Sequence, residues 1–157
     1  PCGHLGNPAL SCSRAPRGAE AYQNKISGPL LDRIDLHVDV DAVNPWEMTT
    51  DNTPRESSKD IRKRVVSARD RQIARQGCVN AHLDGAMLET HAKLNDELTA
   101  FLNSAAEKMG MSARGYNRIK RLARTIADLR GSDDIAMPDL AEALSYRPIN
   151  RGKYGVK

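Results

Sequence analysis

The spacing of hydrophobic residues changes once along this chain, near residue 57. Before that point, residues 34–41 alternate between aliphatic and polar positions, a period of two that predicts a strand. The segment just ahead favours a short helix, because Ser27 can cap its first amides and Pro29 lies in the opening turn, where a missing N–H costs nothing. Arg33 is therefore expected at a junction between a helix and a strand.

From residue 57 onward, apolar residues recur three and four positions apart, as they do on one face of a helix. This pattern predicts helices over residues 57–76, 95–109 and 112–130, and a fourth from near Pro138 to about residue 146. A glycine follows each of the first three segments and is expected to end it. Four helices joined by loops of moderate length predict a small α-bundle.

Residues 44–56 read as a linker, since they combine Asn44-Pro45 with a run of Thr, Asp, Asn and Pro and few apolar anchors. A lone strand ahead of a linker is unusual, because a strand needs neighbours to complete its ladder of hydrogen bonds. We therefore interpret residues 1–43 as the edge of a larger α/β domain that lies upstream, followed by a mainly α domain.

The composition narrows the class of protein without deciding its function. The chain has 157 residues, of which 39% are hydrophobic and 4% aromatic, and its formal net charge is +4. This mild positive charge permits contact with nucleic acid or nucleotide but argues for neither. No apolar run is long enough to span a bilayer, so we expect no membrane partner. Three cysteines do not make a disulfide framework, and a reducing cytoplasm is the expected compartment.

Two arginines stand where a phosphate contact suits their chemistry. The Arg33 guanidinium is planar, permanently charged and able to bind a phosphate through two hydrogen bonds, although from spacing alone an ion pair with Asp32 or Asp35 is the commoner role. Arg114 is predicted in the first turn of the 112–130 helix, where the helix dipole slightly disfavours a cation. That position indicates an anionic partner nearby, although an exposed arginine tolerates the cost.

Two stretches of the sequence resemble the magnesium-chelatase-like AAA+ ATPases, in particular the ComM/YifB branch of that family. The first, Leu30-Leu31-Asp32-Arg33-Ile34-Asp35, is similar to the arginine-finger region. The second, Ser112-Ala113-Arg114-Gly115-Tyr116 with the later Ala123-Arg124-Thr125-Ile126-Ala127-Asp128-Leu129, is similar to the sensor-2 helix of the lid. The likeness extends to about Arg147. It implies a four-helix AAA+ lid with a small N-terminal remnant, one helix and one strand, of the α/β core.

The domain division that the resemblance implies has four parts: the core edge at 1–43, the linker at 44–56, the helical lid at 57–147 and a tail at 148–157. It further implies that Arg33 acts in trans on the γ-phosphate of ATP bound by a neighbouring subunit. Arg114 is expected to contact ATP phosphate in its own subunit and to couple hydrolysis to lid movement.

The same resemblance implies ATP and Mg²⁺ as cofactors of the intact protein, and a homo-oligomeric ring, a hexamer, as its assembly. The family is associated with competence and with DNA processing by branch migration, so DNA is the expected substrate. This chain contains no Gly-x-x-x-x-Gly-Lys-Ser/Thr loop, and its acids at 35–41 alternate along the predicted strand. We therefore expect the phosphate loop and the Mg²⁺-binding acid upstream, and neither a bound cofactor nor ATP hydrolysis from this chain alone.

Two other functions stay open from the sequence. One is a magnesium-chelatase ATPase subunit, although the acidic, proline-rich linker of those subunits is not visible here. The other is a stand-alone helical module that binds DNA or a protein, since phosphate binding needs only clustered cations. Its candidate residues, for which a solvated helix face is the ordinary role, are Arg62, Lys63, Arg64, Arg69, Arg71, Arg75, Arg114, Arg118, Lys120, Arg121 and Arg124.

Cys2 and Cys12, with His4 between them, raise the possibility of zinc. Family members often carry cysteine pairs in this region, but only one cysteine of each pair stands here. A structural zinc site needs four ligands, so we expect one only if a residue from outside the chain completes the set.

Overall fold

The computed structural model describes residues 25–31, 33–38, 40, 46 and 55–147. The chain divides into two compact units, Pro1–Thr53 and Pro54–Lys157. The predicted zinc ligands Cys2 and Cys12 lie outside the described residues, and the zinc site stays a prediction.

In the first unit, the predicted short helix forms and the predicted strand does not. Helix α1 spans Gly28–Leu31, and the Arg33 N–H donates to the Leu30 carbonyl at 3.0 Å as the chain leaves it. Residues 34–38 and 40 are described and belong to no strand. A strand exists only when a neighbour pairs with its backbone, and the described part of this unit supplies none. The aliphatic residues of this alternating pattern are exposed accordingly, from 40% at Ile34 to 86% at Val40.

The second unit is built from helices. The mainly α prediction for this part is confirmed, and each of the four predicted helices forms within about one residue of its expected bounds. A fifth helix was not predicted. In the described residues the order is α2 Ser58–Gln76, a 3-10 turn Asn80–His82, α3 Gly85–His91, α4 Asp96–Met109, α5 Ala113–Arg130 and α6 Met137–Ser145.

Local sequence signals set the helix ends. Ser57, Asn95 and Ser112 cap α2, α4 and α5 by accepting a hydrogen bond from a backbone N–H in the first turn. The same three helices end at glycines with a left-handed backbone conformation, for example Gly131 with φ of 80°. A residue with a side chain is strained in this conformation. Because these signals act over three or four residues, the sequence predicts the bounds of the long helices well.

Helix α5 is the centre of the second unit. Ile119, Ala123 and Ala127 lie on its buried face and are at most 1% exposed. The aliphatic residues that complete this core come from α3, α4 and α6 and from the loops beside them, and none comes from α2. They are Leu83, Leu88, Ala92, Leu98, Leu102, Ile135, Leu140 and Ala143. Leu129, near the C-terminal end of α5, is 46% exposed.

Helix α2 packs through its second half alone. Its buried residues are Ala68 and Gln72, whereas Ile61, Val65 and Val66 in the first half are each about half exposed. A shallow, open depression along this helix is lined by residues of α2 only. None of the described helices combines the length and the apolar content needed to cross a bilayer.

Candidate functional site

The first turn of α5 presents Arg114 to solvent. Ser112 accepts a hydrogen bond from the Gly115 N–H at 3.1 Å, which fixes the backbone on both sides of Arg114. The first turn contains no acidic residue, and within the described residues Arg114 has no ion pair or side-chain hydrogen bond. An exposed, permanently charged guanidinium on a rigid backbone can bind an anion without first breaking an internal contact.

Arg33 has a similar environment in the first unit. The turn that follows α1 holds its backbone through the hydrogen bond to Leu30, and its side chain is exposed. The alternative considered from spacing was an ion pair with Asp32 or Asp35. Asp32 lies outside the described residues, and no ion pair joins Arg33 to Asp35 in the part that is described. Like Arg114, Arg33 is available to an external anion.

The other end of α5 has the opposite character. Asp128, whose side chain is fully buried, accepts two hydrogen bonds from Arg75, at 2.6 and 3.0 Å, and one from Asn80 at 2.8 Å. Arg124, one turn earlier, lies 3.1 Å from the same carboxylate and donates to the carbonyls of residues 132 and 133, both at 2.6 Å. This network joins α2, the 3-10 turn and the loop after α5 to one buried acid.

Two members of this network, Asp128 and Arg124, have shifted pKa values. Burial raises the pKa of Asp128, but the hydrogen bonds from Arg75 and Asn80 and the nearby guanidinium charges outweigh it, so the pKa lies below its ordinary value. Burial lowers the pKa of Arg124 against the opposing effect of Asp128. Asp139 follows the same logic as Asp128: burial opposes ionisation, and Arg130 with the Ala136 N–H more than compensates.

Several basic residues proposed for a DNA-binding face are engaged inside the domain instead. Arg71 donates to the Gly131 carbonyl at 2.6 Å, and Arg75 and Arg124 belong to the Asp128 network. Lys120 is 4% exposed and its ammonium contacts both carboxylate oxygens of Glu89 at 2.8 Å. The solvated helix face expected for most of the basic residues therefore does not describe Lys120 and Arg124, which are 4% and 2% exposed. All four residues contribute to the packing of α2, α3 and α5.

One contact of this network could be predicted from the sequence. Arg124 and Asp128 stand four residues apart, a spacing that brings side chains together on a helix. Arg75 and Asn80 precede Asp128 by about 50 residues, and no local pattern connects positions so far apart. Within the described residues no three potential ligands come together as a metal site, and Cys78 is a half-buried free cysteine packed against the core.

Comparison with known proteins places these features in a family. The family described as magnesium chelatase, subunit ChlI C-terminal, matches residues 55–147, and the one described as magnesium chelatase, subunit ChlI, matches residues 1–48. The chain belongs to the magnesium chelatase family. The resemblance to its ComM/YifB branch is also confirmed by curated relatives, since similarity to these proteins extends over most of this chain.

The competence protein ComM of Haemophilus influenzae is 40% identical over 137 residues, which are 87% of this chain and 27% of ComM. The uncharacterized protein YifB of Escherichia coli is 38% identical over 151 residues, 96% of this chain and 29% of YifB. An uncharacterized protein of Mycobacterium bovis is 30% identical over 151 residues, 94% of this chain and 29% of that protein. The chain thus spans less than a third of the length of these relatives.

Proposed function

We propose that this chain is the C-terminal portion of an ATP-dependent AAA+ motor. In this proposal residues 1–43 are the edge of the ATPase core, 44–56 the linker and 57–147 the helical lid, with a tail at 148–157. The observation that carries the proposal is the exposed Arg114 guanidinium on the capped first turn of α5, with no acid beside it in that turn. Membership of the magnesium chelatase family supports ATP, with Mg²⁺, as the anion that this guanidinium meets.

Each arginine has its own role in the motor. Arg114, the sensor-2 residue, contacts phosphate in its own subunit and connects the nucleotide to the position of the lid. Arg33, the arginine finger, reaches into the neighbouring subunit and stabilises the charge that develops during phosphoryl transfer. The intact protein is a homo-oligomeric ring, because a finger that acts in trans requires a neighbour. The described residues supply cationic contacts only, and the phosphate loop and Mg²⁺ ligands belong to the upstream core.

We further propose DNA as the substrate of the motor, in a competence-type process such as branch migration. The name of the Haemophilus relative, a competence protein, supports this assignment. The internal contacts of Arg71, Arg75, Lys120 and Arg124 reduce the cationic surface left for a stand-alone DNA-binding module. We therefore favour a motor that meets DNA in the assembled ring over a small module that binds it alone.

Arg33→Ala in the full-length protein tests the trans role. ATP turnover is expected to fall by about 10³-fold or more, the usual effect of losing an arginine finger, while ATP binding stays within about threefold. Rings that mix this variant with a phosphate-loop variant are expected to regain part of the activity, because each supplies what the other lacks. Steady-state hydrolysis and filtration binding measure the two effects. Mixed rings that assemble and stay inactive would contradict action in trans.

A further inference from the structure

A second guanidinium approaches the turn that carries Arg114. Arg147 follows α6, and its backbone N–H donates to the Leu144 carbonyl at 3.1 Å, which fixes where its side chain starts. A Cβ atom built on Gly115 would lie 2.5 Å from Nη2 of Arg147 and 3.3 Å from its Cζ. The guanidinium of Arg147 therefore lies directly against the backbone of α5 at the residue after Arg114.

Gly115 has no conformational reason to be a glycine. The described glycines with positive φ are Gly77, Gly85, Gly110 and Gly131, and Gly115 is not one of them. Within a helix a glycine is less favourable than an alanine, because it loses more backbone entropy on folding. What the missing Cβ provides at this buried position is space, and Arg147 occupies that space.

Two like charges are thus brought to one turn by two different elements, Arg114 from α5 and Arg147 from the end of α6. Cations near a helix N-terminus face the positive end of the helix dipole, and they also repel one another. Arg147 also takes part in an interaction within the protein. An anion bound at this turn lowers the electrostatic cost of placing cations there.

We propose that Arg147 is a second phosphate-contacting residue of the lid, beside Arg114, and that Gly115 is a glycine in order to admit it. This proposal rests on the proposed function, since the phosphate is that of the nucleotide. It also gives a role to the end of α6, which connects the last helix of the lid to the turn that senses nucleotide. The group that binds is the same triphosphate that Arg114 meets.

Gly115→Ala is the most selective test. The added methyl group must displace the far end of a flexible side chain and touches no backbone, so the urea unfolding midpoint is expected to change little. Affinity for a fluorescent ATP analogue with Mg²⁺, measured on the full-length protein, is expected to fall about tenfold. This is the usual change in affinity when one charge-assisted hydrogen bond is lost. In an Arg147→Ala background, Gly115→Ala is expected to have no further effect on affinity.

Arg147→Met and Arg147→Lys separate charge from packing. Methionine keeps most of the length and removes the charge, so it is expected to weaken analogue binding about tenfold, whereas lysine is expected to retain most of the affinity. Arg114→Ala is the reference in the same assay. If Arg114→Ala weakens binding and Arg147→Met does not, Arg147 is not a phosphate contact. If Arg114→Ala itself leaves binding unchanged, the proposed function fails and this inference fails with it.

Discussion

Arginines have opposite environments at the two ends of helix α5. At the C-terminal end, Arg75 and Arg124 bind the buried carboxylate of Asp128 and nearby carbonyls. At the N-terminal end, Arg114 is exposed and, within the described residues, has no ion pair. The helix dipole favours cations at the first of these ends and disfavours them at the second. The same side chain therefore stabilises the fold at one end and is left available at the other.

The difference separates two uses of charge. A guanidinium that satisfies a buried carboxylate contributes to stability, and removing either partner leaves an uncompensated charge in the interior. An exposed guanidinium without a partner contributes little to stability and is available to bind a ligand. Variants at the two ends should accordingly differ in kind: one set should affect unfolding and the other should affect ligand binding.

Asp128→Ala is expected to have the largest effect on stability. It leaves Arg124, whose side chain is 3% exposed, without its carboxylate, and a broken buried ion pair costs about 3–5 kcal/mol. Asp133→Ala is the matched control, because Asp133 also pairs with an arginine, Arg71, but its side chain is 98% exposed. The control is expected to cost at most about 1 kcal/mol. Urea unfolding of the chain measures both, and equal losses would refute the distinction between the two environments.

The second largest effect is expected from acid, which should lower the free energy of unfolding by protonating the carboxylates at the C-terminal end of α5. Asp128 and Asp139 have a lower pKa in the folded protein than in the unfolded chain, so the unfolded chain takes up protons first as the pH falls. The two carboxylates contribute fully to the free energy of unfolding above the ordinary aspartate pKa of about 3.9. This contribution is lost as the pH falls through their pKa values in the folded protein, and it amounts to about 1.4 kcal/mol for each unit by which the folded and unfolded pKa values differ. Unfolding free energies measured between pH 6 and pH 2 give the slope.

Asp139→Asn sharpens the acid prediction. Asparagine keeps an oxygen to accept the Ala136 N–H but does not titrate, so the loss of stability below pH 4 is expected to be smaller than in the unmodified chain. An Asp139→Asn variant with the full acid slope would show that this carboxylate is not among the groups that titrate on unfolding.

Features that depend on contacts between residues close in the sequence could be predicted, and features that depend on distant residues could not. Ser57, Ser112 and Gly131 set helix ends through contacts three or four residues away, and those ends were predicted to about one residue. Helix α3 was missed, because its seven residues bury only Leu88, and a pattern this short does not stand out from a loop. The strand predicted over residues 34–41 does not form in the described residues 34–38 and 40, because alternation describes a surface and does not supply the neighbour that a strand needs.

The candidate site divides in the same way. Arg33 and Arg114 were found through their positions in short motifs, and their phosphate roles remain predictions. The contact between Arg147 and Gly115 joins residues 32 positions apart, so only the packing of α6 against α5 reveals it. A glycine inside an otherwise good helix was the one local sign that something approaches closely there.

Arg114→Ala, compared with Arg69→Ala, tests the central claim most directly. Arg69 is exposed on α2 and, like Arg114, has no ion pair among the described residues. The free energy of unfolding of each variant is expected to lie within about 0.5 kcal/mol of that of the unmodified protein. In the full-length protein, Arg114→Ala is expected to weaken binding of ATP with Mg²⁺ by about tenfold or more, and Arg69→Ala to leave it unchanged. Equal ATP affinity for the two variants would contradict a nucleotide-sensing role for this end of α5.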